Sequence, residues 1–247
     1  MSTVIATSVL PDSTANDTLT IGATGDSVAI SGDSLNLNTL QDAGGNTIFV
    51  SDGSGTITSK NSGFPGAFNL ISTQTVGSAV ASIDFTSGID TTYDVYIFKI
   101  INVRPATDNT NFTFQANMVG QSGFNETISS TYFAATHFED NSYDALAFDT
   151  GRAQTTATAY QCLFGGVGNG ADEAGCAELY LFSPSNTSYL KRFCCIGQFY
   201  NGSNASENSY AAGYFTNEVT AMDQISFKFA SGNIEAGTIK LYGLTKS

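Results

Sequence analysis

Between Tyr93 and Val103 the chain reads YDVYIFKIINV, and this stretch constrains the fold more than any other. In an extended strand Tyr93, Val95, Ile97 and Ile101 fall on one face and Tyr96, Phe98 and Ile100 on the other. Side chains alternate across a strand, so both faces here ask for cover, which places it in the middle of a packed sheet. NFTFQANMV (Asn111 to Val119) sets Phe112, Phe114, Ala116 and Met118 against polar neighbours, the pattern of a half-buried strand. AVASIDF, TYFAATHF, TATAYQCLFG, AELYLFS, RFCCIGQFY, YAAGYFT, QISFKFA and GTIKLYGL follow the same style. RPATDNTN, GGVGNGADEAG, SPSNTS, NGSNASENS and SGNIEAG are rich in turn formers and separate them. No segment longer than about 10 residues carries a 3.6-residue apolar period. The expectation is an all-β fold, an antiparallel, jelly-roll-like β-sandwich of about ten strands.

The aromatic residues divide the chain. All 11 Tyr and all but one of the 18 Phe lie after residue 63, and the exception is Phe49. Before that point Gly, Ser, Thr, Asn and Asp dominate, and Lys60 is the only basic residue. The boundary falls in KNSGFPG, which gives an arm over 1–11, a stalk over 12–62 and a head over 63–247. The stalk repeats one pattern: DTLTIG, DSVAIS and DSLNLN, then a looser NTIFVS. Each copy offers two apolar side chains on one face: Leu19 and Ile21, Val28 and Ile30, Leu35 and Leu37, Ile48 and Val50. A strand with two such side chains buries too little surface to offset the cost of ordering its backbone. Three chains wound about one axis solve the problem, since each stripe then meets two others. The stalk is therefore expected to be an intertwined β-structure in a homotrimer, and these eight residues its core.

Charge and cysteines narrow the function. Lys and Arg total 9 against 22 Asp and Glu, a formal charge of −13. Nucleic-acid binding draws on phosphate neutralisation, and anionic lipid attracts cations, so neither partner is expected. No run of about 18 apolar residues exists to span a membrane. MSTVIATSVLPDST has no basic region before its short apolar stretch, so no secretory signal is read. Cys162, Cys176, Cys194 and Cys195 lack metal-ligand spacing and are expected as buried thiols in strands, a Cys162–Cys176 disulfide being the alternative. Cys194 and Cys195 are adjacent and should point to opposite faces.

Three blocks carry a family resemblance: ASIDFTSGIDTTYDVYIFKIINVRPATDNTNFTFQ (Ala81 to Gln115), AELYLFSPSNTSYLKRF (Ala177 to Phe193) and ISFKFASGNIEAGTIKLYGL (Ile225 to Leu244). They resemble, in order, tail-fibre-like and other structural proteins of tailed bacteriophages. LQDAGGNTIFVSDGSGTIT (Leu40 to Thr58) is similar to shaft units that precede such domains. The resemblance implies a trimeric protein on the virion surface that presents a β-sandwich head, attached to tail or capsid. It implies no enzymatic activity.

The residues themselves point the same way. His137 beside Glu139 and Asp140 suits a Ser-His-Asp reading, but no G-x-S-x-G elbow accompanies it. Glu139, Asp140, Asp144, Asp149, Asp172, Glu173 and Glu178 obey no spacing rule for paired-carboxylate catalysis. Asp52, Asp140 and Asp144 lie in Asp-rich turns without an EF-hand loop of about twelve residues, so no metal or cofactor is expected. What remains is binding. HFEDNSYD and NGSNASENSY have the Asn, Asp and Tyr content of sugar-recognition loops, which makes His137, Asp140, Asn141, Tyr143, Asn201, Asn204, Asn208 and Tyr210 candidate contacts to a host surface glycan or protein. The competing expectation is a capsid fibre or decoration protein that fastens to other virion proteins through STVIATSVLP.

Overall fold

In a computed structural model of the chain, residues 39–42, 45–54, 56–60, 68–216 and 219–244 are described. They fall into two units, divided between Phe64 and Pro65. No helix occurs among them.

The first unit is a three-stranded antiparallel meander of β1 (Thr39–Gln41), β2 (Thr47–Ser51) and β3 (Ile57–Lys60). Asp residues build its turns. Asp42 Oδ1 accepts the Asn46 backbone N–H at 2.9 Å, and Asp52 Oδ1 accepts that of Ser54 at 2.7 Å. Hydrogen bonds from the Ser54 side chain first, then from the Ser54 and Thr56 N–H groups, hold the Asp52 carboxyl below its ordinary range. Ile48 and Val50 lie in β2 and are half-buried. The arm and the stalk residues Leu19, Ile21, Val28, Ile30, Leu35 and Leu37 lie outside the described residues.

The second unit holds thirteen strands: β4 (Phe68–Thr75), β5 (Ile83–Phe85), β6 (Val95–Pro105), β7 (Thr110–Met118), β8 (Ile128–Phe138), β9 (Asp144–Phe148), β10 (Thr155–Ala157), β11 (Gln161–Val167), β12 (Gly175–Phe182), β13 (Arg192–Asn201), β14 (Ala205–Phe215), β15 (Met222–Phe229) and β16 (Ile234–Leu244). They form an antiparallel β-sandwich. The long sheet runs β4-β16-β6-β12-β13-β14-β8, with β9 and β10 both on the far side of β8. The short sheet runs β11-β7-β15-β5. One bridge, Val167 to Asn201, joins β11 to β13 where the sheets part.

Phenylalanine fills the space between the sheets. Phe112 and Phe114 of β7 pair in register with Phe229 and Phe227 of β15. Phe98 of the long sheet meets Phe227 edge-on at 5.1 Å, and Phe193 meets Phe114 at 5.0 Å. Such edge contacts add to the burial of each ring. Phe164 lies against Gly175 and Gly197, and a Cβ at Gly175 would come within 2.6 Å of its ring. Two glycines thus make the slot that lets the sheets close on this ring.

Several details differ from the expectation. β6 is central, between β16 and β12, yet its outward face is only partly covered: Ile97 is buried and Ile101 exposed. Asn102 has a φ of 51° at a bulge where the pairing with β12 shifts register, and Val103 is turned into the core. Gly237 stands opposite, with a φ of 130° and no room for a side chain against Val103. β4 and β9 are strands that the alternation did not single out, because edge strands bury little. TATAYQCLFG is two strands, split between Ala157 and Gln161. All four cysteines are free thiols, and the expectation that all are buried fails at Cys176, which is exposed. Cys195 is buried and Cys194 half-exposed on the opposite face, as adjacency requires.

Candidate functional site

Five connections meet at one end of the sandwich. The Glu139 N–H of the β8–β9 turn donates to the Asn204 carbonyl of the β13–β14 turn at 3.2 Å. Gly202 of that turn donates to Gly166 at 3.0 Å, next to the β11–β12 loop. Asn169 of the loop donates to Asp108 Oδ1 of the β6–β7 turn at 3.3 Å. Ala106 in turn donates to Asn233 of the β15–β16 turn at 2.9 Å. Residues 106–109, 139–143, 168–174, 202–204 and 230–233 therefore form one continuous, hydrogen-bonded surface.

Four of the eight candidate contacts, Asp140, Asn141, Tyr143 and Asn204, belong to it, and His137 and Asn201 border it from the ends of β8 and β13. His137 is the next-to-last residue of β8, and its Nε2 lies 3.2 Å from Asn141 Oδ1. Asn141 has a φ of 58° and Asn204 of 59°, the left-handed turn positions that asparagine tolerates best. Asp140 Oδ1 accepts the Ser142 N–H at 2.9 Å, and its hydrogen bonds to Ser142 hold the carboxyl below its usual range. Tyr143 is exposed and meets Phe138 edge-on at 5.5 Å. Asn201 Oδ1 accepts the N–H groups of Ser203 and Ala205 at 2.9 and 3.1 Å, so that oxygen shapes the turn. Tyr200 donates to Asn204 Oδ1 at 3.3 Å, and its hydroxyl pKa is raised, by desolvation first and then by Glu139. Glu139, Asp140, Asp108, Asp172 and Glu173 make this end acidic.

Asn208 and Tyr210 do not belong there. Reading NGSNASENSY as a loop is corrected at its second half: β14 begins at Ala205, because Ser206 pairs with both His137 and Tyr200. Both residues face outward on the long sheet. Tyr210 stacks on Phe133 at 4.8 Å, and Asn208 Nδ2 donates to the Gly197 carbonyl at 2.8 Å.

Asn208 borders a shallow groove of about 670 Å³ on that outer face. Its floor is a charged row, Lys240, Lys99 and Glu178, in register on β16, β6 and β12. Lys99 Nζ pairs with Glu178 Oε1, and Tyr180 donates to Glu178 Oε2 at 2.6 Å. Both bonds, that of Lys99 foremost, lower the Glu178 carboxyl, while the bond to Glu178 pushes the Tyr180 hydroxyl up to about 12. The signal for this row was present in IFKII, AELYL and TIKLY, where one charge interrupts each apolar strand.

A second charged group is internal. Arg152 Nη1 lies 3.0 Å from Asp149 Oδ2 and 3.6 Å from Glu207 Oε1, with its guanidinium 5.6 Å above the Tyr132 ring. Glu207 is 5% exposed, and its burial raises the carboxyl pKa against the pull of Asn201 and Arg152. Burial likewise pushes the Cys162 thiol up to about 12, far from a reactive thiolate. Glu207 sits in the polar run SENS, which reads as loop, so nothing local marks it as inward-facing. Among the described residues no three His, Cys, Asp or Glu side chains converge as a metal site.

Comparison with known proteins adds no relative. No protein-family model matches the chain, no curated protein is similar to it, and no solved structure resembles it.

Proposed function

We propose that this chain is a fibre-type structural protein of a tailed-bacteriophage virion whose head binds a receptor on the host surface. The observation that carries this reading is the joining of His137, Asp140, Asn141, Tyr143, Asn201 and Asn204 into one surface at the end of a rigid sandwich. Recognition loops on such scaffolds gather at the sheet ends. Backbone hydrogen bonds hold the turns in place before any ligand arrives, so little ordering is left to oppose binding. Asn and Asp side chains and the exposed Tyr143 ring suit a polyhydroxylated ligand, hydrogen-bonding its hydroxyls and stacking on its apolar face. The acidic character of this end disfavours an anionic receptor and favours a neutral glycan or a basic protein segment.

The head binds and does not turn its ligand over. His137 has Asn141 as its polar neighbour, an arrangement that orients the ring without activating a nucleophile. Single contacts of this kind are weak. Three heads on the proposed trimeric stalk would raise avidity by factors on the order of 10²–10⁴ where receptor spacing permits. The arm over 1–11 would attach the fibre to other virion proteins.

The test is saturable binding of the labelled full-length protein to susceptible cells, competed by unlabelled protein. Replacing Tyr143 and Asn141 together by Ala and Gly is expected to weaken binding at least tenfold with the fold intact. If the protein shows no saturable binding while the particle still adsorbs, the receptor reading falls. A second reading, a head fibre or decoration protein that fastens to virion partners, is favoured by the exposed apolar face of the long sheet. Cryo-EM of the particle separates the two: a free distal head supports adhesion, a head enclosed by other virion proteins supports fastening.

A further inference from the structure

The two sheets present opposite kinds of outer face. That of the short sheet is polar and largely covered by its own connections. Gln115 Nε2 there donates to the carbonyls of Glu126, Thr158 and Ala159, and Tyr160 lies over Lys228 at 4.0 Å while its hydroxyl meets Ser226. The outer face of the long sheet carries no second layer, and although Ile97 is buried on it, most of the large apolar side chains left exposed among the described residues lie there. Its middle row continues from Glu178 through Ile196, Tyr210 and Phe133 to Phe148, each in register with the next across β13, β14, β8 and β9. Ile196 is 50% exposed and Phe148 57%.

From these observations we infer that the outer face of the long sheet, centred on Ile196, Tyr210 and Phe133, is an interface between copies of this chain. Three arguments select a second copy. The first is area. Seven strands from β16 to β9, spaced about 4.8 Å and about eight residues long, make a face on the order of 800 Å², which is what one partner contributes to a stable protein interface. The second is charge. A chain with 22 acids against 9 bases repels its copies, yet the seven side chains of this row include one acid, Glu178, which Lys99 already neutralises. Two copies can meet here without opposing carboxylates. The third is rigidity: Tyr210 is stacked on Phe133 with ring planes 9° apart, so the patch loses little freedom on association. The apolar half of the row faces its counterpart, and the Lys99–Lys240 half lies at the rim, where its charges keep their water. The interface is separate from the turns assigned to receptor binding and does not depend on that reading.

Cys194 reports on the contact, because it lies on the outward face of β13 two residues before Ile196, whereas Cys162 and Cys195 are buried in the core. The experiment uses the full-length chain at rising concentration, with light scattering for mass and a brief maleimide pulse mapped by mass spectrometry. Mass above that of the 25.9 kDa monomer should appear together with protection of Cys194, and both should reverse on dilution or by labelling resistance lost through exchange. The double substitution Ile196→Glu and Phe133→Glu should open Cys194 and raise the dissociation concentration of the head contact by tenfold or more; Ile196→Lys serves if the double variant does not fold. A monomer at all concentrations overturns the inference and leaves the face to a foreign protein. So does an oligomer in which Cys194 labels as fast as in the variants.

Discussion

Gly197 and Glu207 show how single residues set the tolerance of this core. The ring of Phe164 occupies the place of a side chain at Gly197, and Gly175 clears its other side. Gly197→Ala should therefore cost about 1–3 kcal/mol, the range for overpacking a well-filled core, read as a lower urea midpoint with unchanged slope. Glu207 makes a different case. Its carboxyl pKa is raised in the fold by burial, so over the window between the unfolded value and the raised one the folded chain holds a proton that the unfolded chain has released. The group thus stabilises most below its unfolded pKa, and its contribution is lost as pH rises through the folded value. Glu207→Gln should flatten the fall of stability above about pH 4.5 compared with the parent, measured by urea unfolding from pH 4 to 8. Glu178 has the opposite sign: its lowered carboxyl helps above the unfolded pKa and is lost as pH falls through the folded one.

At the scale of elements, the turns carry the argument. The β8–β9 and β13–β14 connections each place an asparagine at positive φ, Asn141 and Asn204. Asn141→Gly is expected to leave stability within about 0.5 kcal/mol, and Asn141→Val to cost about 1–2 kcal/mol, since a branched side chain opposes the left-handed conformation. Thermal unfolding of the two variants checks this. Asn204→Ala should have a second effect, because it also removes the acceptor of Tyr200 next to the backbone bond from Glu139. Hydrogen exchange of the Glu139 amide is expected to quicken in that variant before global stability changes much.

For the whole molecule, packing and not cross-links holds the sandwich. All four cysteines are free, and the core is a set of interlocked phenylalanines between two sheets. A reducing agent should leave the unfolding midpoint unchanged; a fall of several degrees would mean that a disulfide forms. The formal charge of −13 gives a further expectation. Salt should strengthen self-association by screening repulsion between acidic copies, visible as a larger mass by light scattering at 0.5 M than at 0.05 M salt, about 4 Å against 14 Å of screening length.

Alternation fixed the class of this protein, since a period of two in NFTFQANMV or QISFKFA sets which residues share a face, but it missed that both faces of β7 are buried, Thr113, Gln115 and Asn117 included. The aromatic imbalance likewise marked where the packed core begins, and the turn-rich segments marked the loops. Three things were decided by the tertiary structure. The edge strands β4 and β9 became strands because a neighbour supplied hydrogen bonds, which a sequence pattern of burial does not record. HFEDNSYD and NGSN, the first half of NGSNASENSY, became one surface because β8 and β14 pair antiparallel over their whole length, a contact between residues about 70 apart. Ile101 of β6 and Ile196 of β13 stayed exposed on the outward side because layering covers only one side of a two-sheet sandwich. Local chemistry says which residues resist water; only the pairing of distant strands says which of them find cover.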